Sequence, residues 1–137
     1  MLRAEALAPV VGWMNLKDGG KALRLAITAY SFKLGVLDSR GSHVVRQLGE
    51  AGEDVVVLDN LSTGFRSAVA AGSLVGGDSG DRGIVSRLIA DYRVKTVLHF
   101  AAHTIVPESV SNPLKYYGNN TCATRNLIEC AADAGIR

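Results

Sequence analysis

The run Val55-Val56-Val57-Leu58 ends in a carboxylate, Asp59, 18 residues past Gly41. An acid at the end of an apolar strand can accept from both hydroxyls of an adenosine ribose. Its charge would repel a 2′-phosphate, which favours NAD over NADP. The competing reading is a loop acid that caps a turn or is simply solvated. Gly77-Asp78, after Ser73–Gly76, is a second set. There the glycine leaves room for a flat ring and the acid can accept from an amino group, although an ordinary turn explains Gly76-Gly77-Asp78 equally well. The third set is His99-Phe100-Ala101-Ala102-His103. Two alanines at a strand end let the backbone approach a bulky ligand. The histidines are four apart across a strand-to-loop junction with no acid arranged beside them. They read as satisfied loop or core residues rather than metal ligands.

These sets need elements to position them. Gly41–Ala51 reads as a helix with Val44, Val45 and Leu48 on one face and Gly52 as its stop. Asp54–Asp59 is a run short and apolar enough for a strand buried on both faces. Asn60–Gly64 is a loop, Ser73–Gly76 a short strand, Ile84–Tyr92 a helix and Thr96–Phe100 a second buried strand. A loop is expected over Ala101–Asn112, and Pro113 suits the first turn of a long helix to about Ala134. Tyr116 and Tyr117 on it read as packing residues. Strand and helix alternating in this way predict an α/β fold, a partial doubly wound, Rossmann-type parallel sheet with helices on both faces. Ligands bind outside the carboxyl ends of such strands, where all three sets lie. Ahead of residue 34 the pattern is poor, and Leu23–Ala29 could be a strand or one side of a helix. The expected division is an atypical segment 1–34 and an incomplete dinucleotide-binding domain 35–137.

With 137 residues, 47% of them hydrophobic and 20% charged, the chain has the profile of one soluble globular domain. A net charge of +2, with both signs interspersed, argues against nucleic acid or an anionic membrane as a partner. No apolar run approaches the roughly 18 residues of a membrane span. Cys122 and Cys130 fall on one predicted helix about 12 Å apart, too far for a disulfide. They read as reduced, buried residues of a cytoplasmic protein.

Taken in order, the pieces are more specific than any one of them. Gly41-Ser42-His43-Val44-Val45, Val57-Leu58-Asp59-Asn60-Leu61-Ser62-Thr63-Gly64, Val97-Leu98-His99-Phe100-Ala101-Ala102, Pro107-Glu108-Ser109 and Pro113-Leu114-Lys115-Tyr116-Tyr117-Gly118-Asn119-Asn120 resemble the UDP-glucose 4-epimerase family of extended short-chain dehydrogenases/reductases. The likeness runs from about Gly41 to Arg137. It implies the N-terminal part of an enzyme that holds NAD as a transient hydride acceptor while the sugar C4 is oxidised and reduced again. It further implies that Asp59, Asn60, Ser62, Thr63 and Gly64 line the adenosine ribose and that Asp78 and Ser79 meet the adenine. Phe100, Ala101 and Ala102 would approach the pyrophosphate and nicotinamide, Asn119 would reach the cofactor from the long helix, and Gly35 and Gly41 would be the outer glycines of the phosphate loop. A nucleotide sugar is the expected ligand only of a full-length parent. The long helix pairs into bundles in many relatives, which implies a homo-oligomer. A related nucleotide-sugar dehydratase would share these front motifs, and a non-catalytic scaffold associating through an exposed sheet edge is a further alternative.

Two departures from the family pattern bear on activity. The phosphate loop reads Gly35-Val36-Leu37-Asp38-Ser39-Arg40-Gly41, with Asp38 in place of the middle glycine. That glycine lets the backbone approach a pyrophosphate. A like charge near 4 Å would cost up to about 4 kcal/mol at an effective dielectric of 20, so weakened NAD binding is expected, with Arg40 as a partial offset. Codons for a Gly-Ala-Gly-Phe-Ile-Gly loop read one base late can give Val-Leu-Asp-Ser, as at Val36–Ser39. A shifted frame upstream of Gly41 and ordinary divergence both account for this. Thr104 also stands where the family commonly has a lysine. The second departure concerns catalysis. None of Tyr30, Tyr92, Tyr116 and Tyr117 has a lysine four residues on, so the family's Tyr-x-x-x-Lys pair is missing and no turnover by this chain alone is expected.

Overall fold

The structure is a computed structural model that describes residues 17–18, 21–22, 24–28, 40–62, 66–69 and 71–136. Its main sheet contains β1 (Arg24–Thr28), β2 (Asp54–Asp59), β3 (Ser73–Gly76) and β4 (Thr96–His99). Around it lie α1 (Arg40–Glu50), α2 (Arg82–Tyr92), α3 (Val106–Ser111), α4 (Pro113–Tyr116) and α5 (Thr124–Asp133), with a π-helical stretch, Tyr117–Ala123, joining α4 to α5. Lys17–Asp18 and Lys21–Ala22 form a separate antiparallel pair.

The four strands are parallel and stand in the order β3-β2-β1-β4. Leu25 pairs with both Val55 and Thr96, so β1 has a neighbour on each side. The segment the sequence left open between strand and helix is therefore a sheet strand, drawn from ahead of residue 34. A strand with partners on both sides is stabilised by its ladder and packing, which a short ambiguous pattern does not reveal.

β2 shows why its apolar run is continuous. Val56 and Leu58 pack with Val85, Leu88 and Ile89 of α2 and Leu127 and Cys130 of α5. Val55 and Val57 alternate to the other face and pack with Val44, Val45 and Leu48 of α1. Burial of each such side chain is worth about 1.5–3 kcal/mol. Two covered faces leave no polar side to the strand.

The helix ends follow from particular residues. Gly52, at φ 78°, supplies the left-handed turn after α1, and the Glu53 N–H reaches back to the Leu48 carbonyl at 3.0 Å. Asp81 caps α2 by accepting from the N–H groups of Gly83 at 2.9 Å and Ile84 at 3.1 Å. This adds Arg82 and Gly83 to the helix predicted from Ile84.

Several expectations need correction. The predicted loop Ala101–Asn112 contains α3, which buries none of its residues and so carries no amphipathic signal. Pro107 lies in its first turn, which begins at Val106, and the Ser109 N–H donates to the Ile105 carbonyl at 3.0 Å. The strand Thr96–Phe100 ends at His99. Tyr116 packs as expected, but Tyr117 is 62% exposed. Cys130 is buried while Cys122 is exposed, because eight residues at 3.6 per turn separate them by roughly 80° around a helix.

Candidate functional site

Strand order reverses at β1, with β2 on one side and β4 on the other. A crevice outside the carboxyl ends of the strands is the expected ligand position in such a sheet. A cleft opens there between two walls. One carries Leu58, Asp59 and Asn60 after β2 and Gly77, Asp78 and Ser79 after β3; the other carries Ala101 after β4 and Asn119 from the π-helical stretch.

The first wall is built from turns. Asp59 is 5% exposed, its Oδ1 accepts the Leu61 N–H at 2.7 Å, and its carbonyl accepts the Gly77 N–H at 3.1 Å. Asn60 Oδ1 accepts the Ser62 N–H at 3.0 Å, while Asn60 Nδ2 donates to Asp78 Oδ2 at 3.4 Å. Asp78 Oδ1 accepts the Gly80 N–H at 2.7 Å. Asp59 has a second oxygen able to accept from a ligand, and Asp78 Oδ2 keeps one lone pair for a ligand beside its bond from Asn60.

The second wall is held from a distance. Asn120 Oδ1 accepts the His103 N–H at 2.8 Å, and Asn120 Nδ2 donates to the His103 carbonyl at 2.9 Å. Asn119 Nδ2 donates to the same Asn120 Oδ1 at 2.9 Å. The helix also grips the first wall: Asn126 Nδ2 donates to the Gly80 carbonyl at 3.0 Å. A Cβ on Gly80 would lie 2.8 Å from Ala123 Cβ, so only glycine permits this approach. Farther out, Glu108 accepts from Lys115 Nζ at 2.5 Å and Tyr116 Oη at 2.8 Å, and the rings of His103 and Tyr116 lie 5.2 Å apart.

Burial pushes the Asp59 carboxyl above its usual range, while the Leu61 N–H pulls it back. His99 is held below the ordinary imidazole value by burial, with Nε2 2.9 Å from Thr124 Oγ1. His103 is lowered by burial and by Lys115, against the opposing pull of Glu108. Lys115 and Tyr116 hold Glu108 below the usual carboxylate range. Among the described residues no three His, Cys, Asp or Glu side chains gather as a metal site would require.

The structure brings Asp59, Asn60, Asp78, Ser79, Ala101 and Asn119 to one cleft. Ser62 is exposed beside it, tied to Asn60. Phe100 packs instead against the apolar cluster of α1 and β2, and Ala102 is exposed outside the lining. Gly41 is buried in the first turn of α1. Gly35, Asp38, Thr63 and Gly64 lie outside the described residues. From the sequence Asn120 stands only as the end of a motif, with no role of its own, and Asn126 and Gly80 are not singled out. The adjacent pair Asn119-Asn120 inside a helix was the available signal, since asparagine is a poor helix former, and π turns recur at functional sites. A second hollow of about 500 Å³, lined by Gly49, Glu53, Ser73 and Tyr92 among others, lies at the opposite, amino ends of β2 and β3.

A sequence model of the NAD dependent epimerase/dehydratase family matches residues 35–137. The chain belongs to this family. Over 98 residues it is 45% identical to the UDP-glucose 4-epimerase of Lactobacillus helveticus, covering 71% of this chain and 30% of that protein. It is 47% identical over 98 residues to the enzyme of that name from Lacticaseibacillus casei, again 71% of this chain and 30% of the relative. Among solved structures, UDP-glucose 4-epimerase from Brucella ovis in complex with NAD superposes with a TM-score of 0.74 at 35% identity, over 85% of this chain and 34% of that one. DesIV, a dTDP-glucose 4,6-dehydratase from Streptomyces venezuelae with NAD and TYD bound, gives 0.69 at 31% identity, over 83% and 37%. The chain thus spans about 30% of the length of the curated relatives it matches.

Proposed function

We propose that residues 35–137, together with β1, are the NAD-binding portion of a UDP-glucose 4-epimerase-like enzyme. The observation that carries this reading is the juxtaposition of buried Asp59 with Asp78 at the carboxyl ends of adjacent strands. Asp59 suits the vicinal hydroxyls of an adenosine ribose, and Asp78 suits the amino group of the adenine. A Cβ on Gly77 would meet the Ile84 side chain at 3.0 Å, so glycine lets the end of β3 pack against α2. The adenosine half of NAD therefore fits the residues present. Asn119, on the opposite wall, offers an amide oxygen to the rest of the cofactor. NAD supplies a hydride acceptor for a sugar C4, and in a protein carrying the rest of the fold this would interconvert UDP-glucose and UDP-galactose. Such a protein would work in the cytoplasm.

In this reading the sequence Gly35–Gly41 is the phosphate loop, and Asp38 in place of its middle glycine would bring a negative charge to the pyrophosphate. Asp38→Gly should tighten NAD binding by up to roughly a thousandfold, the equivalent of about 4 kcal/mol. The 137-residue chain itself should not convert UDP-galactose to UDP-glucose, since no tyrosine in it has a lysine four residues on. Calorimetric titration of the native and Asp38→Gly chains with NAD tests the proposal. A folded Asp38→Gly chain that takes up no NAD would refute it.

A second reading is favoured by exposed apolar side chains. Val106 and Val110 on α3, Leu114 on α4 and Tyr117 just after it are 72%, 79%, 82% and 62% exposed. A non-catalytic scaffold that self-associates would cover them. A defined dimer in size-exclusion chromatography, without NAD binding, would favour that reading.

A further inference from the structure

We propose that Asn120 is a positioning residue that sets both halves of the second wall, presenting the Asn119 carboxamide to the cleft and holding the loop after β4 beside it. This inference rests on the NAD-binding reading. The hydrogen bonds carry it. An amide oxygen has two lone pairs, and those of Asn120 are both engaged, one by the His103 N–H at 2.8 Å and one by Asn119 Nδ2 at 2.9 Å. One of its two N–H donors is given to the His103 carbonyl at 2.9 Å. A single side chain thus pins the backbone of His103 in both directions and orients its own neighbour in sequence. Asn119 has one donor committed to Asn120, which leaves its oxygen and its second N–H for a ligand. Ala101, two residues before the pinned position, is the other cleft residue of this wall.

The backbone makes this arrangement accessible. Consecutive residues of an α-helix point about 100° apart, and here Asn120 must reach the loop at His103 while Asn119, next to it in sequence, meets both Asn120 Oδ1 and the cleft. Asn119 and Asn120 lie inside the π-helical stretch Tyr117–Ala123, whose wider turns change that angle. Asn120 does not line the cleft. Its effect on a ligand therefore passes through Asn119 and the 101–103 backbone.

The test is a double-mutant cycle read by NAD titration in 15N-resolved NMR of the whole chain. Asn120→Ala should weaken NAD binding about tenfold in the native background, and by less than about threefold when Asn119 is already alanine. Equal losses in the two backgrounds, or no loss in a folded Asn120→Ala chain, would overturn the proposal. Asn120→Asp gives a second reading if the alanine variant does not fold. It keeps both acceptors but sets a carboxylate oxygen against the His103 carbonyl, so it should release the loop, shifting the His103 amide more than the Asn119 side-chain amide. The same spectra separate this inference from the one beneath it. If neither the native nor the folded Asp38→Gly chain takes up NAD, the cofactor reading fails, yet Asn120→Ala must still move the Asn119 side-chain amide and the His103 backbone amide. Unmoved resonances refute the positioning role by themselves.

Discussion

The two walls of the cleft are built in opposite ways. On the Asp59 wall each strand end is shaped by turns that close within two residues, Leu61 to Asp59, Ser62 to Asn60 and Gly80 to Asp78. Two contacts 18 residues apart, Asn60 to Asp78 and Gly77 to Asp59, join the two ends. On the Asn119 wall the contacts that matter span 17 residues, from Asn120 to His103. The same helix reaches across 46 residues, from Asn126 to Gly80. Local turns form wherever their own side chains permit. The far wall exists only when a helix is docked at one register, and that register depends on the packing of Leu127 and Cys130 against β2 and α2. One wall is thus shaped largely by local turns at two adjacent strand ends, and the other by the docking of a distant helix.

Breaking the local wall should alter recognition and leave the fold standing. Asp59→Asn keeps an oxygen for the Leu61 N–H but offers the ribose a weaker acceptor, and NAD affinity should fall by about ten- to a hundredfold, since a hydrogen bond to a charged group is worth roughly 1.5–3 kcal/mol. Stability should move the other way. Burial raises the Asp59 pKa above its ordinary value of 3.8, so the folded chain binds that proton more readily than the unfolded one. The contribution of the acid is full below that value and is lost as pH rises through the raised one. At neutral pH the ionised group is a net cost, and Asp59→Asn should raise the melting temperature while calorimetry shows weaker NAD binding.

Breaking the long-range contact should do the reverse. Gly80→Ala would press its methyl against Ala123, whose Cβ and Cα would lie at 2.8 and 3.1 Å. Overpacking of this kind costs about 1–3 kcal/mol, which chemical denaturation would read as a lowered midpoint at unchanged slope. Asn126→Ala removes the bond to the Gly80 carbonyl without the clash and should cost about 1 kcal/mol. If it instead costs as much as Gly80→Ala, the helix is held by that one bond more than by packing, and the contrast between the walls weakens.

The smallest effect concerns pH. Burial holds His99 below its ordinary value of 6.5, so the unfolded chain takes that proton first. Stability is intact above about pH 6.5 and declines as pH falls from there through the lowered folded value. His99→Gln should flatten part of the decline in melting temperature between pH 7.5 and 5.5. The remainder should persist, because His103 is shifted in the same direction.

This contrast also accounts for what could be read from the sequence. Val55–Leu58 followed by Asp59, and Gly77 followed by Asp78, declare strand ends and acids in adjacent letters, and those residues share the cleft. α1, β2, β3 and the long helix were legible because their apolar spacing reflects burial. β1 was ambiguous because five residues do not fix a period. α3 was missed because it buries nothing. Phe100 was expected at the cofactor, and its packing against the α1 cluster depends on a helix about 50 residues earlier, which the strand end alone does not report. The roles of Asn120, Asn126 and Gly80 depend on partners 17 or more residues away, and no local pattern reports a partner that distant.

The most direct test of the account is a titration of the native chain with NAD, followed residue by residue in 15N-resolved NMR, with NADP as the comparison. Saturable shifts confined to Asp59–Ser62, Gly77–Gly80, Ala101 and Asn119, and much weaker with NADP, are the predicted result. Shifts centred on Gly49, Glu53 and Ser73 at the opposite end of the sheet, or equal responses to NAD and NADP, would contradict it.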